Sequence, residues 1–86
     1  MQYKIEFRPR AHKFLNEMPK GDKERVLQRI QEISHDPRHD NVIKMAGKDE
    51  KYRARQGNYR IVFSIHDELL IVEIIDIDHR KDAYKK

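Results

Sequence analysis

Residues 52–65 read YRARQGNYRIVFSI, and the fold turns on how this stretch is divided. Gly57-Asn58 has the chemistry of a two-residue hairpin turn. After it, Tyr59, Ile61, Phe63 and Ile65 alternate with more polar residues, the period-2 pattern of a strand with one face in a core. Before it, Lys51 to Gln56 predicts a basic partner strand. An antiparallel pair is therefore expected, with Arg53, Arg55 and Arg60 close to its turn.

Working outward, Leu69 to Asp78 (LLIVEIIDID) is apolar on both faces, as expected of a strand covered on both sides and central in its sheet. Asp67-Glu68 gives a second hairpin-length connection from the strand Asn58 to His66, so the C-terminal half predicts a three-stranded antiparallel meander. Upstream, Tyr3, Ile5 and Phe7 alternate with charged residues as a first strand. Ala11, Phe14, Leu15 and Met18 share one face of a helix running from Pro9 to near Pro19. Lys20-Gly21-Asp22 is then a tight break. Asp22 is the expected N-cap of a second helix, carrying the stripe Val26, Leu27, Ile30 and Ile33 to about His35, where Asp36-Pro37 ends it.

The segment 38–50 lacks a sustained period and is expected to be a loop with one short strand or turn. The residues from His79 onward are expected to form a short helix or a polar tail. The fold class that follows is α+β in two layers: an N-terminal strand, a helical hairpin, then the meander in one sheet, with 1–86 as a single domain.

Composition narrows the function. The chain has no cysteine, which excludes disulfides and thiolate chemistry. No stretch approaches the length that spans a bilayer, so no membrane partner and a cytoplasmic location are expected. The net charge is +4 with a pI of about 9.4, which permits a nucleic-acid partner without requiring one. Its distribution says more: the window from Lys51 to Arg60 holds four basic residues and no acidic one.

Arg53 and Arg55 are two apart in a strand, so they point to one side about 7 Å from each other. Arg60 lies across the turn. Guanidinium forks match phosphate oxygens bidentately, and three of them on one patch make an anion site. The competing reading is a solvated edge whose charges discourage aggregation. A second cluster, His79, Arg80, Lys81 and Tyr84, follows the central strand, whose end lies beside the start of the strand bearing Arg60. Phosphate-binding arginines near a histidine and a tyrosine suit phosphodiester cleavage by an RNA 2′-hydroxyl, which needs proton removal, charge stabilisation and protonation of the leaving oxygen.

Other constellations weigh less. His35 and His39 have a metal-compatible spacing, but Pro37 between them breaks the helix it needs. Asp76 and Asp78 share a strand face and are expected to pair with nearby Arg or Lys. Tyr52 has the setting of a base-stacking ring or of a half-buried strand residue, and Tyr59 shares its face with core residues.

The order of elements, together with YRARQGNYRIVFSIHDELLIVEIIDIDHRKDAY, resembles the RelE/ParE superfamily of bacterial and archaeal toxins over the whole chain. The resemblance implies a toxin of a type II toxin–antitoxin pair with no cofactor and no metal. Its RelE branch implies a ribosome-dependent endoribonuclease cutting mRNA. By position, Arg53, Arg55, Arg60, Arg80 and Tyr84 would carry catalysis, with Lys51 and Lys81 joining them in RNA binding. Implied partners are a cognate antitoxin, the ribosome and mRNA. Where the best-known RelE proteins carry two lysines, this chain has Arg53 and Arg55. Arginine keeps its proton in proteins, so the base is expected to be His79, or else the 2′-hydroxyl is activated by electrostatics. The ParE branch shares the fold and much of the motif but acts on DNA gyrase, and is the alternative.

Overall fold

The computed structural model describes residues 2–39, 41–45, 47 and 50–79. Arg80, Lys81 and Tyr84, and with them the expected short helix or tail, lie outside the described residues. Strand β1 (Lys4–Phe7) leads into helix α1 (Pro9–Asn16), then α2 (Lys20–His35), β2 (Val42–Lys44), β3 (Lys51–Gln56), β4 (Tyr59–His66) and β5 (Ile71–His79). Prolines punctuate the helices. Arg8, before Pro9, stays extended at φ −70° and ψ 152° and caps α1, and Asp36, before Pro37, leaves the helical region at φ −150° and ψ 85°.

The break between helices falls earlier than the sequence suggested. Pro19, not Asp22, is the N-cap of α2, so Lys20, Gly21 and Asp22 are already helical. Proline's fixed φ suits this entry. Asp22 is free to turn its carboxylate elsewhere: it accepts hydrogen bonds from Arg25 and, across the fold, from the Tyr59 hydroxyl, both at 2.8 Å.

The strands form one mixed five-stranded sheet in the order β1-β5-β4-β3-β2. β3, β4 and β5 are the expected antiparallel meander; β2 adds a short antiparallel edge against β3, and β1 joins the far side parallel to β5. The long strand β5 is accordingly interior. Its connection from β4 is a four-residue turn, Asp67 to Leu70, rather than the expected dipeptide, and Leu70 takes φ 54°, an uncommon conformation for a branched side chain.

Both helices cover one face. Ala11, Leu15, Val26, Ile30 and Ile33 pack onto Ala54, Ile61, Phe63, Val72, Ile74 and Ile77, all buried. A register shift after Val62 inserts Ile75 as an extra residue in β5: Val62 faces Asp76, whereas Phe63 faces Ile74. The bulge explains the unbroken apolar look of LLIVEIIDID. Burial runs through Val72 and Ile74, skips to Ile77, and turns Asp76 and Asp78 to the face without helices.

A clasp closes the end near the β4–β5 turn. Arg38, just past α2, holds Asp67 with two guanidinium nitrogens at 3.1 and 2.8 Å, and the Tyr3 hydroxyl donates to the same carboxylate at 2.7 Å. Arg38 first, then Tyr3, holds the Asp67 carboxyl down at about 2.

Candidate functional site

Strand register places the predicted residues. Directly opposed side chains of neighbouring strands share a face, so the helix-free face is built from rows running across the sheet. Arg55, Arg60 and Asp78 make one row across β3, β4 and β5; Ile43, Arg53, Val62 and Asp76 make the next; Lys51, Ser64 and Glu73 make a third. The face is thus basic on its β3 side and acidic on its β5 side. Arg53, Arg55, Arg60 and Lys51 are brought together on it as expected.

These four residues border two depressions. Arg53 and Arg55, with Arg29, Glu32, Asn41, Ile43 and Gln56, line a groove of about 550 Å³ where the sheet passes the end of β2; its one carboxylate, Glu32, is paired with Arg29. Arg60 and Lys51, with Val62, Asp76 and Asp78, line a broader basin of about 640 Å³ on the sheet face.

Charge pairing sets Arg53 and Arg55 apart. Every other described arginine sits on a carboxylate: Arg8 on Glu73, Arg10 on Asp76, Arg25 on Asp22, Arg29 on Glu32, Arg38 on Asp67 and Arg60 on Asp78. Among the described residues no carboxylate pairs with Arg53 or Arg55. Arg53 lies between apolar Ile43 and Val62, and its Nε is buried with no hydrogen-bond partner. A cation left this way is a costly arrangement for folding and a favourable one for receiving an anion.

Arg60 differs. Its Nε donates to Asp78 Oδ1 at 3.1 Å and its Nη2 to Oδ2 at 2.9 Å, a two-pronged fork between partly buried side chains.

Arg29 supports the groove from below. It is a buried cation on the same stripe of α2 as Val26, Ile30 and Ile33. Its Nε donates to the Arg55 carbonyl at 3.2 Å, fixing the backbone of β3, and its Nη1 reaches Glu32 and His39 Nε2. The guanidinium has no lone pair with which to accept, so His39 Nε2 is the acceptor and His39 Nδ1 carries the proton it gives to the Asp36 carbonyl. Both ring nitrogens of His39 are used by the protein, which leaves none for a metal. Arg29 escaped the sequence reading although it carried a signal, a charged residue on an apolar helix face.

His79 is not where the sequence placed it. It opposes Tyr59, one position away from the Arg60–Asp78 pair, and alternation turns both rings to the helix side. The His79 and Tyr59 rings meet edge to face at 5.0 Å, and His79 Nδ1 is buried with no hydrogen-bond partner. Beside them the Asp22 carboxyl is held below its ordinary value, first by the Tyr59 hydroxyl and then by Arg25. His79 therefore does not face a phosphate on Arg60. Tyr52 is likewise engaged within the fold, stacked on Phe63 with the Arg38 guanidinium over its ring.

Ser64, His66 and Glu73 meet at the other end of the open face. His66 Nε2 alone faces both Ser64 Oγ, at 3.1 Å, and Glu73, at 3.4 Å, so the ring lacks the second-nitrogen acid that orients a nucleophilic triad. Glu73 is held by Arg8, which together with His66 keeps its carboxyl below the ordinary range.

The model of the ParE toxin of type II toxin–antitoxin systems matches residues 5–84. The chain belongs to this toxin family. Within the wider RelE/ParE group the toxin stands with the RelE-like members. It is 28% identical over 92 residues to toxin RelG of Mycobacterium tuberculosis, covering all of both chains. Its fold superposes on the toxin–antitoxin complex RelBE2 of the same organism with a TM-score of 0.83 and 26% identity, over 93% of each chain. The archaeal RelE–RelB complex from Pyrococcus horikoshii gives a TM-score of 0.79 and 27% identity, over 93% of the toxin and 97% of that chain.

Proposed function

We propose that the toxin is a ribosome-dependent endoribonuclease that cuts mRNA in the cytoplasm, and that the face carrying Arg53, Arg55 and Arg60 receives the RNA backbone. The observation that carries this reading is the pair Arg53 and Arg55, cations held on a rigid strand beside a groove whose carboxylate, Glu32, is taken by Arg29 and not by either of them. A purely solvated edge would not need one of them to keep a buried, unpartnered Nε.

In the reaction the RNA 2′-oxygen bonds to the adjacent phosphorus and the bond to the 5′-oxygen breaks. The 2′-proton passes to solvent water, and the departing 5′-oxygen takes up a proton from solvent. Charge builds on the non-bridging oxygens between these events, and preorganised guanidinium donors stabilise it. Arginine cannot be the base. His79 faces the other side of the sheet, so the 2′-hydroxyl is activated by the electrostatics of the cationic face. Arg80 and Tyr84 join the site through the family resemblance, as does Lys81 for binding.

The family also supplies the partner. RelE proteins have been crystallised with RelB antitoxins, which supports a cognate antitoxin that covers this toxin. A gyrase-directed activity is the second reading, favoured by the match to the ParE toxin model.

Toeprinting of a translated message decides between them. Cleavage by the wild-type toxin, lost in the Arg53→Ala/Arg55→Ala variant, is the expected result. Intact message together with blocked supercoiling by gyrase would move the toxin to the second reading.

A further inference from the structure

In the row Arg55–Arg60–Asp78 the last residue stands where a phosphate would bind. Asp78 presents two oxygens to Nε and Nη2 of Arg60 at 3.1 and 2.9 Å, the bidentate geometry with which an arginine grips a phosphate. We propose that Asp78 is a gating residue, an internal carboxylate that holds Arg60 in its phosphate-ready fork and must give way to the RNA backbone. This inference rests on the endoribonuclease reading and adds to it the residue against which substrate competes.

Two features of the fold support a competitor rather than a fixed structural pair. Arg60 and Asp78 lie on the open face, where the Arg60 and Asp78 side chains keep 26% and 35% of their exposure, so an anion reaches the pair from solvent. Arg53 and Arg55 stand on the adjoining strand without a carboxylate. An incoming backbone thus meets two unneutralised cations first, and their attraction offsets the exchange of Asp78 for phosphate at the third. Loading becomes stepwise: Arg55 and Arg53 capture, and Arg60 closes when Asp78 releases it.

Asp76 supplies the matched control. It occupies the same face of β5 and removing its charge changes the net charge equally, but it pairs with Arg10, whose side chain is 82% exposed. Exposed and partly exposed pairs contribute little to folding, so neither Asp78→Asn nor Asp76→Asn is expected to unfold the domain, and the melting temperature of each checks this. Binding of a fluorescein-labelled RNA dodecamer to the purified toxin is measured by anisotropy at low and moderate salt. Asp78→Asn is expected to tighten binding about fivefold beyond Asp76→Asn, the range set by releasing one charge-assisted hydrogen-bonded pair. Asp78→Glu is expected to restore the wild-type affinity by restoring the competitor.

Equal tightening in the two asparagine variants would reduce the effect to net charge and overturn the proposal. Weaker binding by Asp78→Asn would overturn it too, because Asp78 would then be needed to place Arg60 for RNA. Failure to detect binding by any form would do the same. Message cleavage on ribosomes, measured alongside, separates the two levels: a wild-type toxin that cleaves while Asp78→Asn binds no tighter than Asp76→Asn loses only the gate.

Discussion

Arg53→Met separates folding from function within one side chain. Arg53 sits between Ile43 and Val62 with a buried, unpartnered Nε. A buried donor without an acceptor costs about 1–3 kcal/mol. Methionine keeps the unbranched stem, removes the donor and adds apolar contact with those neighbours, so the variant is expected to gain about 1 kcal/mol. For a domain this small that corresponds to a rise of about 4–8 °C in melting temperature. The same change removes a charged donor to the phosphate, and the loss of one such transition-state contact lowers rate by about 10²-fold or more. Calorimetry and toeprinting on one preparation test both halves. A lower melting temperature with unchanged cleavage would refute the reasoning, since Arg53 would then be a structural residue that RNA does not use.

Other outcomes follow from features already described. Asp67→Asn is expected to lower the melting temperature at neutral pH and to flatten the acid limb of the unfolding curve. The folded Asp67 carboxyl is held down at about 2, below the ordinary value near 4, so its stabilisation is complete above about pH 4 and is lost as pH falls towards 2; circular dichroism across pH 2–5 reads this, and an unchanged acid limb would count against the clasp. Gly57→Ala is expected to cost about 1 kcal/mol in urea unfolding. Gly57 has φ +60° and an added Cβ would meet nothing within 4 Å, so the cost is backbone strain alone.

Local signals made most of the fold legible. Alternation in Tyr59 to Ile65, the apolar stripes of both helices and the prolines at 9 and 37 act within a few residues, and each element they predicted is present. The errors arose where a distant partner decided. Asp22 looked like a helix cap because its true acceptor role towards Tyr59 spans the chain. The turn after β4 lengthened because Asp67 is anchored by Arg38 and Tyr3, neither of which is near it in sequence. In the site, alternation correctly put Arg53, Arg55 and Arg60 on one face. The same rule applied to β5, once register is known, turns Asp78 towards Arg60 and His79 away from it; without that register the basic look of the segment after Asp78 drew His79 into the wrong group.

The parallel pairing of β1 with β5 joins the beginning of the described chain to its end. β5 is also the strand that carries Asp78 to Arg60 and supplies Val72, Ile74 and Ile77 to the core. A chain still missing β5 loses the strand that joins β1 to β4, leaves β1 without a neighbour and lacks much of the surface on which the helices pack. Assembly of the full sheet therefore waits on β5, because the pairing of Lys4 with Ile71 bridges most of the described chain. Nascent chains cut short before β5 are therefore expected to lack the toxin fold, and with it any activity the completed polypeptide has.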